Sequence, residues 1–582
     1  MTTSSPAQFA DKLQMQGRLF SELSRMFGQE VPLYDKSLAV NFQCNRAVCQ
    51  LLSQLHGGFA ISDEQLDRTS GERHGAIRIG KPDEYHWVSR FFAAFAMEPH
   101  NYYDMSNVGA KSQPIVATAF RAVYKPEHRV FTSLLQTDYF DPATRKRIED
   151  LLATRQVFTP EIKALIEKGE RQGGLSWAEA TTLIGHGVNR IFKWTGKARD
   201  HQLYKDLCDS GFKIAADIAC FESHHLNHLT PNTFWIDLYT AAMKCCLGEM
   251  PAATFTARAQ AVLTRLAAVA DRDYMKLHFK HLTIEQIDAF TPGTLPASFI
   301  ARLAADLTAR LQQPDLQLSK LPHSGFKDST EGPAQDTPIL LRQDAYKALT
   351  EPVEFANADG TTIKTVHTAR FGEIEQRFYA TTPAGRKLYD DCLTAAEAAV
   401  AKDPGQAKRD FEAYERTYAA PFAPFPKTLP ALLAQGLVYG IYSPTARGRA
   451  AAGTITTTDP VELVKLGFAQ YEGLRYEDFL PVSAAGIFAS NLSQYGTKST
   501  AAVKPVYVQK MLEDIMGKPI IDTDTAYRAL QSESLLHTYD ALGLTSRLPA
   551  ATLTDLKASA AHSPATAPRP ASPAAAAIPA HA

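Results

Sequence analysis

The chain has 582 residues, 45% of them hydrophobic and 21% charged, the balance of a soluble globular protein large enough to bury a substantial core. Lys and Arg number 61 against 62 for Asp and Glu, a formal charge of −1, so electrostatics make no case for nucleic acid or an anionic membrane, and a small-molecule partner is expected. The 7 cysteines form no C-x-x-C pair, the N-terminus has no basic stretch followed by an apolar core, and no run of about 18 apolar residues occurs, which together point to reduced cytoplasm without a membrane span.

Apolar positions at helical spacing from Pro6 to Phe27, and again from Asp35 to His56, predict two leading helices. After Gly57-Gly58, the stretch Arg73-His74-Gly75-Ala76-Ile77-Arg78-Ile79-Gly80 alternates as a short strand does, placing His74, Ala76 and Arg78 on one face. At a rise of roughly 3.3 Å per residue, His74 and Arg78 lie about 13 Å apart along the backbone, so an imidazole and a guanidinium can converge on one small molecule. Taken alone, the pair also fits a merely solvated face. Pro82 and Asp83 open a helix whose aromatics, Tyr85 to Phe95, are expected in the core. Gln113 to Val123 and Arg129 to Leu135 read as strands.

Helical sequence is expected from Pro142 to about Asp209. An apolar run, Phe212 to Phe221, then enters Glu222-Ser223-His224-His225-Leu226-Asn227-His228-Leu229-Thr230-Pro231. Three histidines in five positions suit a metal site, because neutral imidazole is the commonest ligand nitrogen, and suit an exposed polar turn equally well. A helical insertion is expected over about residues 234–320. Strand-like sequence resumes at Pro338 to Arg342, and His367-Thr368-Ala369-Arg370-Phe371-Gly372-Glu373-Ile374-Glu375-Gln376-Arg377 puts Glu373, Glu375 and Arg377 on one strand face. A charge ladder that blunts an edge strand has the same pattern, and periodicity does not separate Glu373 from Glu375. Helices from Pro383 to Ala401 and Gln406 to Tyr418, strands from Gly436 to Ser443 and Gly467 to Tyr476, and a small-residue segment after Pro481 complete what is expected to be a single elaborated domain of residues 1–549. From residue 550 the Ala/Pro/Ser/Thr sequence predicts a disordered tail.

Four of these stretches, Glu72 to Arg78, Asn227 to Pro231, Thr368 to Arg377 and Tyr476 to Gly486, occur in the order in which they resemble the 2-oxoadipate dioxygenase/decarboxylase family, also called hydroxyglutarate synthases. The resemblance covers most of residues 20 to 500, leaving out the insertion and the tail. It implies an α+β fold with a curved, vicinal-oxygen-chelate-like sheet or partial barrel enclosing iron and surrounded by helices. It also implies a cytoplasmic enzyme of lysine breakdown that uses Fe(II) and O2 to turn 2-oxoadipate into 2-hydroxyglutarate and CO2. Carried over position by position, the metal ligands fall on His74, His228 and Glu373 and the substrate-holding residues on Arg78, Val482 and Ser483, with His225 outside the ligand set. The sequence departs from the family at His224, at Asn232 and in the long insertion, which bear on substrate choice and oligomeric state.

Two histidines and one carboxylate leave three positions open on octahedral Fe(II), enough for a bidentate 2-oxo acid and O2. Arg78 is suited to a bidentate grip on the far carboxylate of a six-carbon diacid. The rival readings are a divalent-metal hydrolase on the same ligands with Glu375 as general base, and a non-catalytic metal-storing or 2-oxo-acid-binding protein.

Overall fold

The computed structural model describes residues 9–107, 112–327, 330–480 and 506–563. Its strands of three residues or more, in chain order, are β1 (Arg73–Ile79), β2 (Glu98–Asp104), β3 (Ile115–Arg121), β4 (His128–Leu135), β5 (Lys197–Arg199), β6 (His228–Pro231), β7 (Leu341–Tyr346), β8 (Thr350–Ala356), β9 (Thr362–Thr368), β10 (Gly372–Arg377), β11 (Gly440–Pro444) and β12 (Ala469–Gly473). The helices that matter below are α1 (Lys12–Glu30), α2 (Pro32–Leu55), α3 (Pro82–Ala93), α4 (Lys213–Cys220), α5 (Ile236–Cys246), α6 (Ala252–Val269), α7 (Arg272–His278), α8 (Phe299–Leu311), α9 (Thr523–Ala541) and α10 (Ala550–Ala560).

The fold is α+β. β2, β3, β4, β1 and β6 form one five-stranded sheet in that order, with β1 parallel to β4 and antiparallel to β6. β7 and β10 make an antiparallel pair, and an isolated parallel bridge between Asn232 and Glu375 carries the arc onward from β6 to β10. The expected partial barrel is therefore an open arc: among the described strands no sheet closes on itself. β8 and β9 form a hairpin with β5 added at its edge, and β11 pairs with β12.

Sequence chemistry accounts for these elements. Asp11 caps α1 by accepting from the Gln14 N–H at 2.8 Å, and Pro32 and Pro82 occupy the first turns of α2 and α3, where a missing N–H costs nothing. Tyr85, Val88, Phe91 and Phe92 of α3 are fully buried, as their spacing predicts. One large apolar core joins α1 and α2 to the five-stranded sheet, and smaller cores lie around residues 378–439 and beneath α9. The segment expected to be an insertion is helical, containing α5 to α8, and packs into the large core. The tail expected from residue 550 is corrected over its first 11 residues, which form α10 and bury Leu556 beside α9. Among the described residues no helix is long and apolar enough to cross a membrane.

Candidate metal centre

β1 and β6 bring the first two candidate ligands together through their register. His74 lies opposite Thr230 and Ala76 opposite His228, so His74, Ala76, Arg78, His228 and Thr230 share one sheet face, and the small Ala76 leaves room beside the His228 ring. Gly75 permits this closeness: a Cβ there would meet Leu226 Cδ1 at 3.0 Å and the His228 carbonyl oxygen at 3.3 Å. β10 supplies the third. Glu373, Glu375 and Arg377 do share a face, yet all three are buried, so the surface-ladder reading is wrong for this strand.

The two glutamates, equivalent by periodicity, differ sharply in place. Glu373 Oε2 lies 3.1 Å from His74 Nε2 and 3.4 Å from His228 Nε2 and accepts from Thr230 Oγ1 at 2.9 Å. Glu375 Oε2 instead meets His74 Nδ1 at 2.9 Å, and both Glu375 oxygens accept from Arg377, Nε and Nη2 each at 2.9 Å. Arg377 is in turn tied by Nη1 to the Tyr476 and Asp478 carbonyl oxygens at 3.1 and 2.8 Å. Phe479 stands edge-on to the His74 ring with centroids 5.1 Å apart. His74 is thus held on both nitrogens.

Ligand atoms of His74, His228 and Glu373 lie within 4.8 Å of one another, and all three side chains are inaccessible to solvent. Two buried atoms among them, His228 Nε2 and Glu373 Oε1, have no hydrogen-bond partner among the described residues. Orphaned polar atoms in a dry interior are costly unless something binds them, and two imidazoles with one carboxylate are a donor set suited to a divalent transition metal. The residues fit a metal. Burial holds the His228 pKa down at about 4, so its nitrogens stay neutral, as ligation requires. Burial also works against protonation of His74, but Glu375 and Glu373 overcome it and hold its pKa above the ordinary histidine value. Glu373 stays below the usual carboxylate range because His228 and His74 outweigh its burial, and Glu375 lies lower still through Arg377 and His74.

Arg78 is buried on the same face, with Nη1 bonded to Asp217 Oδ2 at 2.7 Å. Asp217, from α4, is also approached through Oδ1 by His367 Nε2 at 3.1 Å and by His225 Nε2 at 3.3 Å, while Tyr204 Oη lies 2.8 Å from His367 Nδ1. Burial alone would raise the Asp217 pKa; His225, His367 and Arg78 hold it well below the usual range. Val482 and Ser483 lie outside the described residues.

The dense histidine cluster divides among three carboxylates. His224 pairs with Glu84 at 3.1 Å, His225 faces Asp217, and only His228 reaches the centre with Glu373. Asp217, Tyr204, Thr230 and the Arg377 clamp were not singled out as site residues from sequence. A lone carboxylate in the apolar run Phe212 to Phe221 was the signal for Asp217, since such a group survives burial only with partners.

A profile of the family described as 2-oxoadipate dioxygenase/decarboxylase matches residues 19–250 and 247–491. Proteins of that name from Pseudomonas putida and Escherichia coli are 34% and 32% identical, each over 90% of this chain and over 95% and 97% of their own length. The crystal structure of the Pseudomonas putida hydroxyglutarate synthase in complex with 2-oxoadipate superposes with a TM-score of 0.65 at 31% identity, covering 93% of this chain and 100% of that one.

Proposed function

The chain belongs to the 2-oxoadipate dioxygenase/decarboxylase family, and from that premise we propose that it converts 2-oxoadipate and O2 into 2-hydroxyglutarate and CO2 at the centre formed by His74, His228 and Glu373. Substrate plus O2 contains the same atoms as the two products, so neither a second oxo acid nor a reductant enters the balance. The observation that carries the site is the pair of buried, unpartnered atoms His228 Nε2 and Glu373 Oε1 beside His74. Fe(II) held by His74, His228 and Glu373 would supply activation of O2 and Lewis-acid binding of the 2-oxo acid.

The side chains around the ligands have separable tasks. Glu375, fixed by Arg377, accepts the proton on His74 Nδ1 and so points Nε2 into the centre. Arg78, four residues along the same face, binds the far carboxylate, and Asp217 holds that guanidinium in place through Nη1. Val482 and Ser483 complete the grip by the family's pattern. Phe479 and Phe371, packed against the two imidazoles, keep bulk water from the ligands. The reaction belongs to lysine breakdown in the cytoplasm.

A hydrolase with Glu375 as general base is disfavoured by geometry, because both Glu375 oxygens are engaged and the group resists protonation. The test is anaerobic reconstitution with Fe(II), followed by 2-oxoadipate and air. Equal amounts of O2 consumed and of CO2 and 2-hydroxyglutarate formed are expected; product formed without O2 uptake refutes the proposal.

A further inference from the structure

A cavity of about 490 Å³ lies apart from the centre just described, and none of His74, Arg78, His228 or Glu373 lines it. That volume is in the range of small-ligand sites. Its wall includes Arg475, which is only 7% exposed. Arg475 Nη2 donates to Glu72 Oε2 at 3.0 Å, but its buried Nε has no hydrogen-bond partner.

Charge around Arg475 does not balance. Glu72 is shared by Arg129 at 3.2 Å, Lys280 at 3.1 Å and Arg475, while Glu477 is shared by Arg129 and by Lys280 at 3.1 Å. Three cations therefore rest on two carboxylates, and among the described residues no other carboxylate lies within ion-pair distance of the three. Arg129 Nη1 is likewise buried without a partner. Burial, followed by the nearby Arg475, holds the Lys280 ammonium below its ordinary pKa, as befits a cation in excess. Lys280 already donates to Glu72, Glu477 and the Pro126 carbonyl oxygen, so its N–H groups are committed. Of these two arginines with an unmatched nitrogen, Arg475 is the one that lines the cavity.

The rest of the lining sets the ligand's other end. Leu277, Ile284, Ile441 and Leu530 supply an apolar wall; the charged lining sets Arg121, Lys125, Lys276, Lys280 and Arg475 against Glu472, Glu477 and Glu533, with Lys276 paired to Asp288 at 3.6 Å outside the lining. We propose that this cavity is a binding site for a small organic anion, with a carboxylate or phosphate head on Arg475 and a short apolar body along Leu277, Ile284, Ile441 and Leu530. The site is separate from the metal centre and does not rest on the oxygenase reading.

The test uses the full chain and three calorimetric probes: hexanoate, hexyl phosphate and the uncharged hexan-1-ol. Both anions are expected to bind, with hexan-1-ol at least tenfold weaker, and the tighter anion assigns the head group. Arg475→Met should lower hexanoate affinity at least tenfold while leaving the thermal midpoint unchanged, because Arg129 and Lys280 then match Glu72 and Glu477 one for one. Leu530→Trp, which fills the apolar end without touching the ion cluster, should produce a similar loss. Arg78→Met should bind hexanoate as the parent does. Absence of hexanoate binding, undiminished binding in both cavity variants, or its disappearance in Arg78→Met overturns the proposal.

Discussion

Replacing Glu375 by Gln separates two contributions that the structure superimposes. Glu375 accepts from His74 Nδ1 through one oxygen and from Arg377 through both, all at 2.9 Å and fully buried. A glutamine keeps one acceptor oxygen, so the two-oxygen Arg377 fork is broken in either orientation, and His74 Nδ1 keeps at best a neutral acceptor in the Oε2 place. Removing the outer carboxylate of a ligating histidine typically costs about 10- to 100-fold in metal affinity, or about 1.4–2.7 kcal/mol. Leaving Arg377 buried without its carboxylate adds a folding penalty on the order of 3 kcal/mol, partly offset by the carbonyls of Tyr476 and Asp478. The two costs appear in different assays: anaerobic Fe(II) titration reports the His74 contact, and thermal unfolding of metal-free protein reports Arg377. Fe(II) affinity equal to that of the parent in a folded Glu375→Gln protein would refute the role given to Glu375.

Other perturbations address the remaining parts of the centre. His74→Ala and Glu373→Ala should each abolish metal retention and turnover while circular dichroism stays native; an active variant removes that residue from the ligand set. Arg78→Lys should raise KM for 2-oxoadipate by roughly 30-fold, equivalent to about 2 kcal/mol, through loss of the planar fork, and unchanged kinetics would take Arg78 out of the substrate site. Asp217→Asn should weaken turnover of 2-oxoadipate far more than that of 2-oxohexanoate, which lacks the far carboxylate; an equal decline in both would mean that Asp217 only supports the fold. Because Glu375 and Glu373 overcome burial to raise the His74 pKa, metal-free protein holds a proton there that Fe(II) must displace. Affinity should therefore increase with pH, about tenfold per unit below that pKa, then level off above it. In the metal-free protein the same shift stabilises the fold at low pH and the benefit is lost as pH rises through the folded value, so affinity and apo stability should move in opposite directions.

Period-two alternation located both faces that matter, since His74, Ala76 and Arg78 on β1 and Glu373, Glu375 and Arg377 on β10 each line up as expected. Alternation fixes a face and nothing beyond it. Which glutamate meets which imidazole nitrogen depends on the bridge between Asn232 and Glu375, a pairing between strands far apart in the chain. Burial of the β10 charges was hidden for the same reason, because a charged strand is buried only when partners such as Arg377 and His74 arrive from elsewhere. The histidine cluster misleads by proximity in sequence: backbone direction sends His224, His225 and His228 to Glu84, Asp217 and Glu373, with His225 at a positive φ of 24°. Composition also placed the end of ordered structure too early, since an alanine-rich stretch with two leucines, Leu553 and Leu556, suffices for α10 once α9 offers a surface.

His74 and Glu373 meet although they stand 299 positions apart in the sequence. A ribosome must therefore release most of the polypeptide before these two donors can face one another, and no shorter nascent fragment holds the complete set. Capture of a metal ion by this set would then be a late event in biogenesis, and its removal should first loosen the seam where β10 adjoins β6.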